Sequence, residues 1–270
     1  MAINTEKLTI TINDGDRVSA LLYPAAKKLR VAVSLILGHG AGANQLHPFM
    51  RLFAAGLAER GFDVVTFNFQ YMEQGRRVPD PKAKLEACYL SVIAAARNHK
   101  KLKSNRIVIG GKSMGGRIAS QVAADWTGFT GLTRPDKNTR LSKSTDSKIT
   151  ASDAEKPGPI KLGGNEPIEL AGLVFLGYPL HPPGRPDKLR DAHLPQIKSP
   201  MLFVQGSRDA FGSPDELRAT IKKHHLPATL HVVEGGDHSL RVPKTLGIPQ
   251  DEVYASTMDA ISTWRVKHIS

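Results

Sequence analysis

The stretch Arg106-Ile-Val-Ile-Gly-Gly-Lys-Ser-Met-Gly-Gly-Arg-Ile-Ala-Ser-Gln-Val-Ala-Ala124 joins two regular patterns through a glycine-rich turn. Residues 106–109 form a short apolar run typical of a buried strand, and residues 114–126 are typical of a helix. The turn between them, Gly111-Lys-Ser113-Met-Gly115, has the pattern Gly-x-Ser-x-Gly. A turn this tight strains the backbone at the serine, and glycines on both sides let neighbouring segments approach. The stretch therefore predicts a serine hydroxyl at the carboxyl edge of a sheet, above the N-terminus of a helix.

A phosphate-binding loop is the main alternative for this turn, because Gly-Lys-Ser also ends that motif. The motif requires a glycine five residues before Gly111, where this chain has Arg106 within the predicted strand. The spacing therefore excludes a nucleotide-binding loop at this position.

The rest of the chain predicts an α/β fold around this turn. Alternating segments at 7–12 and 18–23, separated by an Asp-Gly turn, predict an antiparallel hairpin. Nearly continuous apolar runs predict strands buried on both faces of a parallel sheet; they lie at 31–37, 64–69, 106–109, 172–176, 201–204 and 230–233. Helical patterns between and after them lie at 48–60, 81–99, 114–126, 214–225 and 251–268. We expect one α/β domain over residues 1–270, with a mostly parallel sheet of about eight strands and helices on both faces.

Residues 127–169 break this pattern. They include long polar stretches and too few apolar side chains to build a core, so we expect a mobile insertion rather than a large hydrophobic cap.

A serine nucleophile needs a base and a carboxylate that orients the base. Asp209 follows the apolar run at 201–204, and His238 follows the next run at 230–233. The chain order Ser113, Asp209, His238 is the one found on α/β-hydrolase sheets, and the three residues are the expected catalytic triad. Weaker rivals for the acid and the base are Asp187, Asp215, Asp237 and His181.

The segment Gly38-His-Gly-Ala-Gly-Ala43 follows the third predicted strand. Its glycines expose backbone N–H groups, and we expect the N–H groups of Ala41 and Met114 to form an oxyanion hole. Side chains at other strand ends are candidates for the substrate pocket, although each is also explained by packing; they are His39, Tyr71, Tyr178 and His181.

Composition limits the possible functions. The 37 Lys and Arg residues against 25 Asp and Glu give a net charge of +12, but the basic residues are scattered, so a nucleic-acid partner is not expected.

The N-terminus has no apolar signal segment, no run is long enough for a membrane span, and the one cysteine, Cys88, suits a reducing compartment. We therefore expect a cytoplasmic protein without a membrane anchor. Histidines lack metal-ligand spacing, and neither a metal nor another cofactor is expected.

These motifs together resemble the α/β-hydrolase family related to dienelactone hydrolase. The resemblance rests on the segments 39–43, 111–116, 177–184, 203–209 and 236–238. More narrowly, they are similar to the branch that contains a testis-expressed hydrolase-like protein and a subunit of the NSL histone acetyltransferase complex. Dienelactone hydrolases use a cysteine nucleophile, whereas this chain has Ser113, so their substrate is not implied.

The leading hypothesis is a serine hydrolase that acts on a small or medium acyl ester or thioester. The alternative is a catalytically silent interaction module with an acidic partner, which the chromatin-complex relative and the positive charge favour. Serine-dependent turnover of a generic ester distinguishes the two.

Overall fold

The computed structural model describes residues 5–12, 15–126 and 169–269. Eight strands lie in this part of the chain: β1 (Glu6–Thr11), β2 (Arg17–Tyr23), β3 (Val33–Gly38), β4 (Asp63–Phe67), β5 (Arg106–Lys112), β6 (Leu170–Leu176), β7 (Met201–Gly206) and β8 (Ala228–Val233). Six α-helices accompany them: α1 (Pro48–Glu59), α2 (Gln70–Glu73), α3 (Lys82–Asn98), α4 (Met114–Trp126), α5 (Pro214–Lys223) and α6 (Gln250–His268). The mobile insertion expected at 127–169 lies outside the described residues apart from Glu169.

The strands form one sheet in the order β1-β2-β4-β3-β5-β6-β7-β8. The first hairpin is antiparallel, as its alternating sequence predicts, and β2 runs antiparallel to β4. The other strand pairs are parallel, so the carboxyl ends of β3 to β8 lie at one edge. The predicted α/β-hydrolase sheet is confirmed, and the described residues contain no large cap domain.

Helices cover both faces of the sheet, which explains why the strands read as continuous apolar runs. Along β3, Leu35 and Leu37 pack in the core layer that includes residues of α1 and α6. Ile36 points to the opposite face and packs in the layer that includes residues of α3, α4 and α5. Both sets must be apolar because successive side chains of a strand face opposite sides.

One strand end needs correction, and one short helix was not predicted. The strand predicted at 64–69 ends at Phe67, because the N–H of Phe69 turns away from the ladder and donates to Nε2 of His39 over 3.2 Å. The chain then makes the four-residue helix α2, too short to leave a periodic pattern in the sequence.

No helix in the described part of the chain has the length and apolar character that crossing a membrane requires.

Candidate active site

The turn between β5 and α4 holds Ser113 in a left-handed backbone conformation, with φ of +51°. The turn is anchored on both sides: the Ser113 N–H donates to the Leu176 carbonyl over 3.1 Å, and the Ser113 carbonyl accepts from the Arg117 N–H over 3.0 Å. A side chain in this backbone region is strained, and surrounding contacts must hold it there. The hydroxyl is therefore presented from a rigid point at the edge of the sheet.

The glycines of the motif are required by close backbone packing. A Cβ at Gly111 would lie 2.2 Å from the carbonyl oxygen of Gly38, and one at Gly115 would lie 2.1 Å from the same oxygen. Both distances are well inside van der Waals contact. The turn can consequently sit against the end of β3 only because neither position carries a side chain.

Ser113, His238 and Asp209 form one hydrogen-bonded series. Oγ of Ser113 lies 2.8 Å from Nε2 of His238, and Nδ1 of His238 lies 2.8 Å from Oδ2 of Asp209. Because a carboxylate only accepts hydrogen bonds, Nδ1 of His238 is the protonated nitrogen. In the neutral ring Nε2 then accepts the proton of the serine hydroxyl, which is the geometry of general-base activation.

The Asp209 carboxylate is buried and held by two further groups besides His238. Its Oδ1 accepts from the Phe211 N–H over 2.8 Å, and its Oδ2 accepts from Nε2 of Gln205 over 2.8 Å. Oε1 of Gln205 in turn accepts from the Tyr178 N–H over 2.8 Å. These bonds compensate the carboxylate for its lost hydration and fix its orientation toward the imidazole.

The loop that carries His238 is also held from outside the triad. The Phe211 ring stacks on the imidazole, with ring centres 4.1 Å apart and an interplanar angle of 27°. Nζ of Lys112 donates to the main-chain carbonyl of His238 over 2.5 Å. Burial lowers the pKa of Lys112 to about 8, opposed by the charges of Asp209 and Asp237.

The residues expected to bind an oxyanion border the same space as the nucleophile. Ala41, Ser113 and Met114 all line a cavity of about 280 Å³. Met114 is the first residue of α4, where backbone N–H groups have no acceptor within the helix and the helix dipole is positive. The glycine loop approaches closely, since a Cβ at Gly40 would lie 3.6 Å from Cβ of Ser113. An oxyanion formed at Ser113 would meet this positive end of the helix.

The residues that line this cavity do not include any of the four suggested for a substrate pocket. His39, Tyr71 and Tyr178 have no exposed surface, and His181 is 5% exposed. His181 places Nδ1 2.8 Å from the Pro182 carbonyl and Nε2 3.2 Å from Oε1 of Glu216, so it bridges a loop to α5. Besides Ser113, Ala41 and Met114, the uncharged residues that line the cavity are Pro79, Leu85, Pro179 and Phe211.

His39 has a structural position in the turn after β3. Its Nδ1 donates to the Gly40 carbonyl over 2.9 Å, and its Nε2 accepts from the Phe69 N–H over 3.2 Å. Burial lowers the pKa of His39 to about 4, so the ring is neutral near pH 7. The ring therefore connects the oxyanion loop to the segment after β4 and has no nitrogen left for substrate.

The rival acids have other partners. Asp187 pairs with Arg185, and Asp215 pairs with Arg218 at the start of α5. Asp237 precedes His238, but its carboxylate accepts from the N–H groups of Ser239 and Arg241 and closes the local turn.

Three supporting residues were not identified from the sequence: Lys112, Gln205 and Phe211. Gln205 had a detectable signal, because it is a polar residue inside an otherwise apolar strand and such a residue must find buried partners. Lys112 and Phe211 had no such signal. A lysine beside a turn usually faces solvent, and a phenylalanine in a loop usually packs into the core.

Comparison with known proteins agrees with this fold. The family profile described as Alpha/beta hydrolase domain matches residues 31–266, and the chain belongs to that family. An alpha-beta serine hydrolase homologue from Coxiella burnetii superposes with a TM-score of 0.63 at 16% identity, covering 100% of this chain and 99% of that one. A dienelactone hydrolase from Anabaena variabilis gives 0.66 at 14%, covering 99% of each chain. An esterase from Pyrococcus furiosus gives 0.66 at 13%, covering 99% of this chain and 92% of that one. At these identities the likeness concerns the fold.

Proposed function

We propose that this α/β hydrolase is a serine esterase that hydrolyses small or medium acyl esters or thioesters through an acyl-enzyme. One observation carries the proposal: Ser113, His238 and Asp209 are joined by hydrogen bonds of 2.8 Å at each step. The solved esterase and serine hydrolase structures with the same fold support it.

In the proposed mechanism, Oγ of Ser113 attacks the acyl carbonyl while Nε2 of His238 takes the hydroxyl proton. Asp209 holds the imidazole in the required tautomer and stabilises the imidazolium. The N–H groups of Ala41 and Met114 bind the oxyanion of the tetrahedral intermediate. His238 then protonates the leaving group, and a water activated by the same imidazole releases the acid and regenerates Ser113.

Labelling with a fluorophosphonate and hydrolysis of p-nitrophenyl acetate and butyrate test the proposal. We expect wild-type protein to be labelled at Ser113 and to turn over at least the shorter ester, and Ser113→Ala to lose both properties. The matched control is Ser91→Ala, because the Ser91 hydroxyl donates to the Ala87 carbonyl of its own helix and lies outside the lining of the cavity. Folded wild-type protein that is neither labelled nor active would overturn the proposal.

The net charge of +12 favours a second candidate, a silent interaction module for an acidic partner. Such a module would fold normally, show no serine-dependent turnover and bind its partner equally well as Ser113→Ala. The narrower resemblance to the branch with the chromatin-complex subunit stays a prediction from the motifs. The cytoplasmic location is likewise part of the proposal, on the argument from the single cysteine.

A further inference from the structure

The cavity beside Ser113 is lined by more positive than negative side chains. Lys82, Arg117 and Arg190 contribute cations, and Asp80 contributes the one carboxylate among the lining residues that the structure describes. Asp80 is already neutralised by a salt bridge of 2.5 Å with Arg76. Lys82 is partly neutralised, since Nζ lies 3.3 Å from Glu86 and 3.9 Å from Asp125. The excess positive charge of the cavity therefore comes from the two arginines.

Neither arginine has an ion-pair partner within residues 5–12, 15–126 and 169–269. Nε of Arg117 is buried and has no hydrogen-bond acceptor there. A buried donor without an acceptor is rare and costly in a folded protein, and more so when it carries charge. Arg117 thus has no carboxylate at ion-pair distance in the described part of the chain, although the charge of Glu86 acts on it from further away.

The two guanidinium groups also act on one another. The pKa of Arg190 is lowered, first by burial and then by the positive charge of Arg117. Two like charges near each other in a partly dry cavity repel, and an anion placed between them removes that repulsion. A guanidinium binds a carboxylate through two parallel N–H bonds, which fits an anionic substrate group better than a neutral one.

The position of Arg117 relates this charge to the nucleophile. Arg117 follows Ser113 by four residues, and its N–H donates to the Ser113 carbonyl, so it lies one turn along α4. One turn corresponds to about 5.4 Å along the axis. An anion bound by Arg117 would consequently belong to the same small molecule whose acyl carbonyl meets Ser113.

We propose that the substrate of this hydrolase carries a carboxylate that binds between Arg117 and Arg190, as in a monoester of a short dicarboxylic acid. The inference rests on the proposed serine hydrolase function and specifies its substrate class. Neutral esters fit the same chemistry at Ser113 but leave both arginines without an ion-pair partner among the described residues. Esters that carry an ammonium group are repelled by them.

Matched esters test the inference. Methanol release from monomethyl glutarate is compared with release from dimethyl glutarate, which differs by the loss of one negative charge. We expect kcat/KM to be about 10- to 100-fold higher for the monoester, the range for a hydrogen bond to a charged group. Arg117→Gln and Arg190→Gln should each reduce that preference about 10-fold or more. Glutarate itself should inhibit hydrolysis of p-nitrophenyl acetate competitively in the wild-type protein.

Lys188→Gln is the charge-matched control, because Lys188 is exposed, lies two residues from Arg190 and does not line the cavity. It should keep the full preference. Serine-dependent hydrolysis of both methyl esters with no preference for the monoester, together with no inhibition by glutarate, would overturn the carboxylate site and leave the esterase proposal standing. Absence of all turnover and of fluorophosphonate labelling would instead overturn the esterase proposal itself.

Discussion

The side-chain amide of Gln205 donates a hydrogen bond to Oδ2 of Asp209 over 2.8 Å, four residues further along the chain. The same amide nitrogen lies 2.8 Å from the Gly212 carbonyl, and the amide oxygen accepts from the Tyr178 N–H. Gln205 has no exposed surface. It therefore joins the end of β7, the loop after β6 and the proposed catalytic acid, and it is a positioning residue for the triad.

Replacing Gln205 with leucine should reduce both stability and activity. The change keeps the volume but leaves the buried Tyr178 N–H without its acceptor and removes one of the two hydrogen bonds to Oδ2 of Asp209, which costs about 2–3 kcal/mol in the free energy of unfolding. We expect kcat for p-nitrophenyl acetate to fall about 10-fold with little change in KM, because Gln205 does not line the cavity. Urea unfolding and steady-state kinetics measure the two effects, with the exposed Gln74→Leu as control. A folded variant with unchanged kcat would show that Gln205 has no positioning role.

Two glycines near Ser113 should differ in how well they tolerate substitution by alanine. In Gly115→Ala the added Cβ would lie 2.1 Å from the Gly38 carbonyl oxygen, so β3 and the turn must separate. Overpacking of this kind costs about 1–3 kcal/mol, and we expect fluorophosphonate labelling to slow at least 10-fold. In Gly40→Ala the nearest contacts are at 3.6 Å, an ordinary van der Waals distance, and the melting temperature should stay near wild type. Equal melting temperatures and labelling rates for the two variants would contradict the packing argument.

The sequence predicted the parts of the site that depend on backbone pattern. Parallel strands buried on both faces leave apolar runs, and their carboxyl ends share one edge, so the residues after β5, β7 and β8 could be assigned to the same place. The turn that presents Ser113 could be predicted from the spacing of its glycines, because only glycine permits the close contact with β3 that the structure shows.

Side-chain direction could not be obtained in this way. Tyr71 and Tyr178 lie near strand ends as expected, but both rings point into the core. Arg190 belongs to the loop between β6 and β7, which has no periodic pattern to indicate where its side chains point. Such contacts depend on packing between distant segments, and a single sequence does not reveal which segments meet.

Lys112 should affect activity through the loop that carries His238. Lys112→Met keeps an unbranched apolar chain but removes the donor to the His238 carbonyl, so we expect kcat to fall about fivefold, the effect of roughly 1 kcal/mol. Lys112→Arg should not restore activity, because a wider, planar guanidinium must enter the space where Nζ of Lys112 meets the His238 carbonyl. Full activity in Lys112→Met would show that Lys112 does not position the loop that carries His238.

The same lysine gives a pH-dependent difference in stability. Its pKa is about 8 in the folded protein against 10.5 as the ordinary value, so the unfolded chain binds more protons between these pH values. Stability of the wild type relative to Lys112→Met should accordingly rise from about pH 8 to pH 10. Urea midpoints of both proteins at pH 7.5, 9 and 10 measure the difference. A difference that stays constant over this range would contradict the lowered pKa of Lys112.

His193 should make the protein sensitive to mild acid. Its Nε2 lies 2.7 Å from Oγ of Ser120, whose proton goes to the Arg117 carbonyl, so Nε2 is the donor. Burial, with the charges of Lys82 and Arg117, lowers the pKa of His193 to about 4. Between pH 6.5 and 4 the unfolded chain takes up the proton first, and stability is lost as the pH falls through this range. His193→Gln keeps a donor and cannot titrate, so its urea midpoint should fall less between pH 7 and pH 4.5.

The control is His225→Gln, an exposed site just after α5, whose urea midpoint should change with pH as the wild-type midpoint does. Because His39 is also neutral and buried, part of the acid sensitivity should persist in His193→Gln; an unaltered slope in that variant would show that His193 is already protonated in the fold.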